Sequence, residues 1–435
     1  MKSLYPTTLL LILLFFALNV NAQQTPGAIQ ESAISIQGAT LHTGKGEVIK
    51  NSRIDFNNGK IEYIGKANEN HPLKPNTQII KANNQHIYPG FIVPNSTLGL
   101  VEIDAVKASK DENETGSFLP HIRSLIAYNT ESKVVESMRP NGVLIAEITP
   151  RGGRISGTSS VVQLDAWNWE DAYINKDHGI HLNWPSIYKR MSHLDKKKKI
   201  KQDLENYTKE VNKLTVYLEQ AKSYRSKEIG TKSIAFEAVK PVFSGNKTLY
   251  IHANTKQQIA DILQFKTNLQ IPKIVLVGGY EALIYASELK NAKIPVLVNR
   301  PHSLPRKDDE DYDAPFKLAT QLTQAGLLVG LEPSGDMERM NARNLPFYAG
   351  TCAAYGLSKE QALQLITHNN AQILGIHNHY GSLEVGKSAT LFISEGDALD
   401  MRGNKLTHAF IDGRAVSLKT HQTKLYERYS KKYKK

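Results

Sequence analysis

Four groupings of residues have types and spacings that could do chemistry. His377-Asn378-His379 is a His-x-His, a spacing at which two imidazoles can share a divalent metal. Thr149-Pro150-Arg151-Gly152-Gly153-Arg154, with Ile155-Ser156-Gly157-Thr158 after it, resembles a glycine-rich phosphate cradle. His178 and His181 stand three apart in HGIHLNWP, a spacing that shares one helix face, and Cys352 is the single cysteine. Each has a plainer reading. The His-x-His falls in a turn between Leu374-Gly375 and Gly381, away from strand ends. The glycine-rich run lacks the Gly-Lys-Ser/Thr ending of a phosphate loop. It reads as a loop over a pocket mouth, where Arg151 or Arg154 either meets an anionic substrate or faces solvent. Gly179 and Pro185 favour a loop around His178, His181 and Trp184, with aromatic packing as their role. Cys352 lies among Ala349, Ala353 and Ala354, the setting of a small core hydrophobe.

The elements that must position any site change character along the chain. From Ala33 to Ile87 apolar and polar residues alternate, and Asn57-Asn58-Gly59 marks a hairpin turn. From Gly90 to about Leu374, short apolar runs alternate with helical stretches. Examples are Gly142 to Ala146, Leu249 to Ile251, Ile274 to Val277, Ile294 to Val298 and Leu327 to Leu331. Such β-then-α units imply a parallel sheet covered on both faces. Strand patterns return in ATLFISEG and HAFIDGRAV. The pattern predicts an α/β fold: a (β/α)8 TIM-type barrel over 89–375, with a small composite β domain built from 23–88 and 376–418. An open doubly wound sheet is the alternative, but no Gly-x-Gly-x-x-Gly follows an early strand. Residues near 188–228 read as a charged helical insertion, with Leu204, Val211, Leu214 and Leu218 as its apolar stripe.

Three ordered blocks then carry a resemblance. They are AISIQGATLHTGKGEVIKNSRIDFNNGKIEYIG, HIYPGFIVPNSTLGL, and GLSKEQALQLITHNNAQILGIHNHYGSLEVGKSATLFI with AFIDGRAV after it. Together they resemble the amidohydrolase superfamily, in its imidazolonepropionase-like secreted branch, over nearly all of the chain beyond residue 22. The resemblance implies a metal-dependent hydrolase of non-peptide carbon–nitrogen bonds. It implies a divalent metal, usually zinc, held by a His-x-His at the end of the first barrel strand.

The departures bear directly on that chemistry. Pro89-Gly90-Phe91-Ile92 and Leu98-Gly99 fix the register, and the two histidine positions read Asn95 and Thr97, after Val93. An amide and a hydroxyl are poor zinc ligands, so several kcal/mol are lost from a site worth on the order of 10 kcal/mol. His252 resembles the histidine after the fifth strand, and Gly278-Gly279 stand where a sixth-strand histidine belongs. Glu332 and Asp336 both answer to the eighth-strand aspartate, which touches metal and acts as base. With His252 they are the candidate metal ligands, Asp336 the candidate catalytic base and Arg151 and Arg154 the candidate substrate contacts. Two functions follow: a hydrolase with reduced or lost catalysis, or a pseudoenzyme acting as a binding protein or as partner of an active paralogue in a homo- or hetero-oligomer. The substrate is a small molecule of unread identity.

Bulk properties set the compartment. Lys2, the apolar run Leu9 to Val20 and Val20-Asn21-Ala22 read as a signal peptide over 1–22, which predicts export to the periplasm or beyond without a stable membrane span. Roughly 410 residues then remain, enough for a large core. The formal net charge of +12 concentrates in Lys196 to Lys199 and in a basic tail over 419–435. Such runs are usually solvated faces, and no aromatic platform for nucleic acid accompanies them.

Overall fold

The computed structural model describes residues 24–187, 196–225 and 232–433, so the signal-peptide reading falls outside the described residues. Five strands open the chain: β1 (Ile34–His42), β2 (Val48–Asn57), β3 (Lys60–Lys66), β4 (Gln78–Lys81) and β5 (His86–Pro89). β1, β2 and β3 form an antiparallel meander, and Asn58-Gly59, both with positive φ, turns β2 into β3 as the hairpin signal predicts.

Eight strands follow: β6 (Phe91–Ser96), β7 (Val143–Ile148), β8 (Ile155–Gln163), β9 (Tyr173–Asn183), β10 (Thr248–Ala253), β11 (Ile274–Gly278), β12 (Val296–Asn299) and β13 (Val329–Glu332). They form one sheet in sequential order, curled into a nearly closed barrel. The gap between its edge strands is bridged by a side chain: the Asn370 amide donates to Ile92 O of β6 (2.8 Å) and Leu331 O of β13 (3.1 Å). Ile92, Ile145, Val161, Tyr250, Val275, Val277 and Leu297 fill the interior, plugged by Ala371, Ile373 and Leu374. Such a barrel is a packed core and not a pore.

The first half departs from strict β/α alternation. β8 pairs antiparallel with both β7 and β9, and the chain between them is short. Gly152 and Gly153, with φ of 82° and 61°, reverse the chain directly after β7. Residues 155–158 of the run read as a loop therefore begin β8, and His178 and His181 lie within β9 where a loop was expected. Continuous β-branched and small polar residues in ISGTSSVVQ suit a strand buried on both faces, which weakens alternation as a signal.

Three final strands, β14 (Leu391–Ser394), β15 (Leu406–Ile411) and β16 (Arg414–Ala415), return to the first sheet, where β14 pairs antiparallel with β5. Strands from both chain ends thus share one sheet, with a core that includes Ile36, Phe56, Ile87, Leu391 and Phe410. Phe392 packs edge-on to Phe91 at 4.9 Å and ties this sheet to the barrel. The long helix Lys196–Ser223 covers the barrel exterior: Leu214 and Leu218 are buried, Val211 is half-buried and Leu204 is exposed. Cys352 is buried in the helix Leu345–Ala354, and burial pushes its thiol up to about 12, as befits a core residue. Among the described residues, no helix is long and apolar enough to cross a membrane.

Candidate functional site

The end of β6 is kinked. Asn95 has a φ of 51°, a left-handed conformation that asparagine tolerates better than most residues, and the pairing with β7 is irregular there. The kink turns both its backbone and its side chain into the barrel mouth. Its N–H donates to Glu147 Oε2 (2.9 Å), and its Nδ2 donates to Glu332 Oε2 (3.1 Å) and Ser334 Oγ (3.0 Å). Arg151 then grips the same residue twice, Nη1 to Asn95 Oδ1 (2.9 Å) and Nη2 to Asn95 O (2.8 Å). The guanidinium also stands 3.5 Å from Glu338. Glu338 in turn accepts from Thr97 N (2.7 Å), the Thr97 hydroxyl and Ser96 Oγ (3.1 Å). Asn95 and Thr97 therefore bind an arginine and a glutamate.

On the far side of Asn95 a second chain of contacts runs through Glu147 of β7. This carboxylate is fully buried and also accepts from Ser159 Oγ (2.8 Å) and His181 Nε2 (3.2 Å), while His178 Nε2 lies 3.2 Å away. Burial pushes Glu147 up, but the attraction and contacts of His181 and His178 outweigh it and hold the carboxyl well below its ordinary range. His181 Nδ1 lies 3.0 Å from His252 Nε2. With Glu147 ionised, one assignment fits these contacts: His252 Nε2–H donates to His181 Nδ1, and His181 Nε2–H donates to Glu147. Burial lowers both imidazoles below their ordinary range, with His181 and Arg151 adding to the effect on His252. His181 also stacks on Tyr250 at 4.7 Å, which fixes its ring.

Glu332, the last residue of β13, is fully buried and behaves oppositely. Its Oε2 accepts from Ser334 N (2.8 Å) and Asn95, while Oε1 has no hydrogen-bond partner among the described residues. Burial pushes its carboxyl up to about 7, with Ser334, Arg151 and Asn95 only partly offsetting it. The mouth thus holds one ionised and one nearly neutral carboxyl, an arrangement that can accept and return a proton near neutral pH.

The structure brings Asn95, Thr97, Arg151, His252 and Glu332 into this network and leaves two candidates outside it. Asp336 is exposed on the loop after β13, where its carbonyl accepts from Arg300 Nη1. Arg339 pairs with Asp104 and not with Asp336. Arg154 binds Asn183 O (2.7 Å) and Glu210 (3.2 Å), which leads away from the mouth. His377 and His379 lie in the turn beyond the barrel plug, His379 exposed. Glu147 and Glu338 are the residues that the sequence reading missed, while His181, read there as aromatic packing, stacks on Tyr250 and also joins the network. A lone glutamate in the apolar strand VLIAEI was the available signal for the first.

A zinc centre does not fit this donor set. Both oxygens of Asn95 are taken by Arg151, both nitrogens of His181 are engaged, and Glu332 Oε2 is committed to two donors. Among the described residues, no three His, Cys, Asp or Glu side chains come together as a metal cage. Arg151 also places a positive charge at Asn95, which disfavours a divalent ion bound at that residue.

Residues 274–416 match the sequence model of the amidohydrolase family, from β11 through β16. An amidohydrolase from Thermotoga maritima MSB8 superposes with a TM-score of 0.76 at 22% identity, covering 88% of this chain and 99% of that one. The chain shares the fold of that structure. Molinate hydrolase superposes at 0.52 and 13% identity, over 90% of this chain and 96% of its own. A Xanthomonas campestris adenosine deaminase with bound zinc superposes at 0.53 and 13% identity, over 93% and 98%. No curated protein matches the chain in sequence. The matched stretch includes Glu332 but begins after β6, so it does not speak to Asn95 or Thr97.

Proposed function

We propose that this is an exported amidohydrolase-fold protein whose barrel mouth binds a small molecule without a zinc centre, metal-dependent carbon–nitrogen hydrolysis having been lost. The observation that carries the reading is the double grip of Arg151 on Asn95. A permanent organic cation occupies the surroundings that paired imidazoles would give to a metal, with Asn95 and Glu338 arranged around it. The signal-like segment supports export, and the persistence of the barrel around an altered mouth supports a binding or partner-subunit role.

Restoring the ligands tests this. Asn95→His with Thr97→His should bind zinc weakly while Arg151 stays, and at least tenfold more tightly once Arg151→Ala is added. Equilibrium titration against a chromogenic chelator reads both. Wild-type protein that binds zinc as tightly as the triple variant would sink the proposal.

A second reading keeps proton-transfer chemistry without metal, and Glu332 favours it, since its carboxyl sits near neutrality with one oxygen unengaged. A hydrolysis rate that follows a single ionisation near pH 7 and disappears in Glu332→Gln would support it.

A further inference from the structure

We infer that the cavity beside the Asn95–Glu332 network is a subsite for the carboxylate group of a small-molecule ligand, with Arg300 as its anchor. The cavity measures about 160 Å³ and lies where the parallel strands end. Asn254 follows β10, Asn299 closes β12, and Ser334, which donates to Glu332, follows β13. Arg300 and Arg306 both line it and no carboxylate does. Among the described residues neither arginine has a carboxylate within ion-pair distance. Arg300 Nη1 donates to the backbone carbonyl of Asp336 (3.0 Å), which fixes the guanidinium without neutralising it. Arg306 lies over the Tyr280 ring at 4.7 Å, and the Tyr280 hydroxyl donates to Glu310, so that carboxylate is already engaged.

The backbone is shaped to admit the anchor. Gly335 has a φ of 126°, and a Cβ there would stand 2.6 Å from Arg300 Nη2. A side chain at that position would have to displace the guanidinium. A planar fork of N–H donors, lacking an internal counter-charge, matches a carboxylate in charge and geometry. The amides of Asn254 and Asn299 supply further polar groups around it. The volume is below the roughly 300–1,000 Å³ of a pocket for a whole ligand. It holds one end, while the remainder extends past Ser334 toward Glu332 and Asn95.

This inference rests on the reading that the mouth binds a small molecule, and its test separates the two. Full-length protein is titrated calorimetrically, in chelator, with N-acetylglycine and benzoate, with their neutral amides, and with inorganic phosphate. The acids should bind at least about tenfold more tightly than the amides, as expected of a charge-assisted contact. Arg300→Met should erase that preference and Arg300→Lys should keep part of it. Asn299→Asp should reduce it with Arg300 in place, which guards against a misfolded Arg300→Met. The inference is overturned if wild-type protein binds no acid, binds acid and amide alike, prefers phosphate, or keeps its preference in folded Arg300→Met. Zinc bound at the mouth, with the acid preference intact, would overturn the proposed function and leave this subsite standing.

Discussion

Glu332 and Glu147 are two buried carboxyls in one network with opposite tendencies, and acid–base linkage makes the difference measurable. Glu332 is raised from 4.5 to about 7 on folding, so the native state holds its proton where the unfolded state has lost it. That contribution is fully present below pH 4.5 and is lost as pH rises through about 7. The shift corresponds to about 3 kcal/mol. Chemical unfolding of Glu332→Gln at pH 5 and pH 8 should lack this decline, and an equal decline in variant and wild type would refute the assignment. Glu147 is lowered, so its contribution holds above the unfolded carboxyl range and is lost as pH falls. Glu147→Ala removes the acceptor of Asn95 N, Ser159 Oγ and His181 together. It should destabilise by about 3 kcal/mol or more, read by denaturant titration. At this scale the sequence was partly legible. Asn95 and Thr97 could be placed at the end of the first barrel strand because the glycines and prolines around them set the register. Glu147 was hidden, and His181 was read only as aromatic packing, because their partnership depends on a strand that reverses direction, which local pattern does not announce.

Among the elements, the parallel strands β10 to β13 were plain from their apolar runs, each followed by a helix or short helical turn. The β7–β8–β9 hairpins were not, because strands buried on both faces lose the alternation by which strands are recognised. The exterior helix was legible from its Leu214 and Leu218 stripe, and its contacts give a prediction. Both side chains are essentially buried, so Leu218→Ala should cost about 2–4 kcal/mol, while exposed Leu204→Ala should cost almost nothing. Thermal unfolding compares the two. Equal effects would mean that the helix presents another face to the barrel.

Over the whole molecule, the two sheets are joined by side chains and not by a linker alone. Phe392 of β14 and Tyr88 of β5 both pack on Phe91 of β6. Scanning calorimetry should therefore show one cooperative transition, and Phe392→Ala should lower it by about 3–5 kcal/mol. Two separate transitions in wild-type protein would contradict that coupling. The basic tail behaves differently. The helix His421–Tyr433 buries no residue, so truncation from Lys424 should change stability by less than about 0.5 kcal/mol.

The central claim is that the Arg151 guanidinium, held on Asn95, closes the barrel mouth to a metal. Its most direct measurement is the zinc content of full-length protein after incubation with excess zinc and removal of the free ion, determined by elemental analysis. The account predicts far less than one equivalent, unchanged in His252→Ala and Glu332→Gln. Close to one equivalent, lost in either variant, would contradict it.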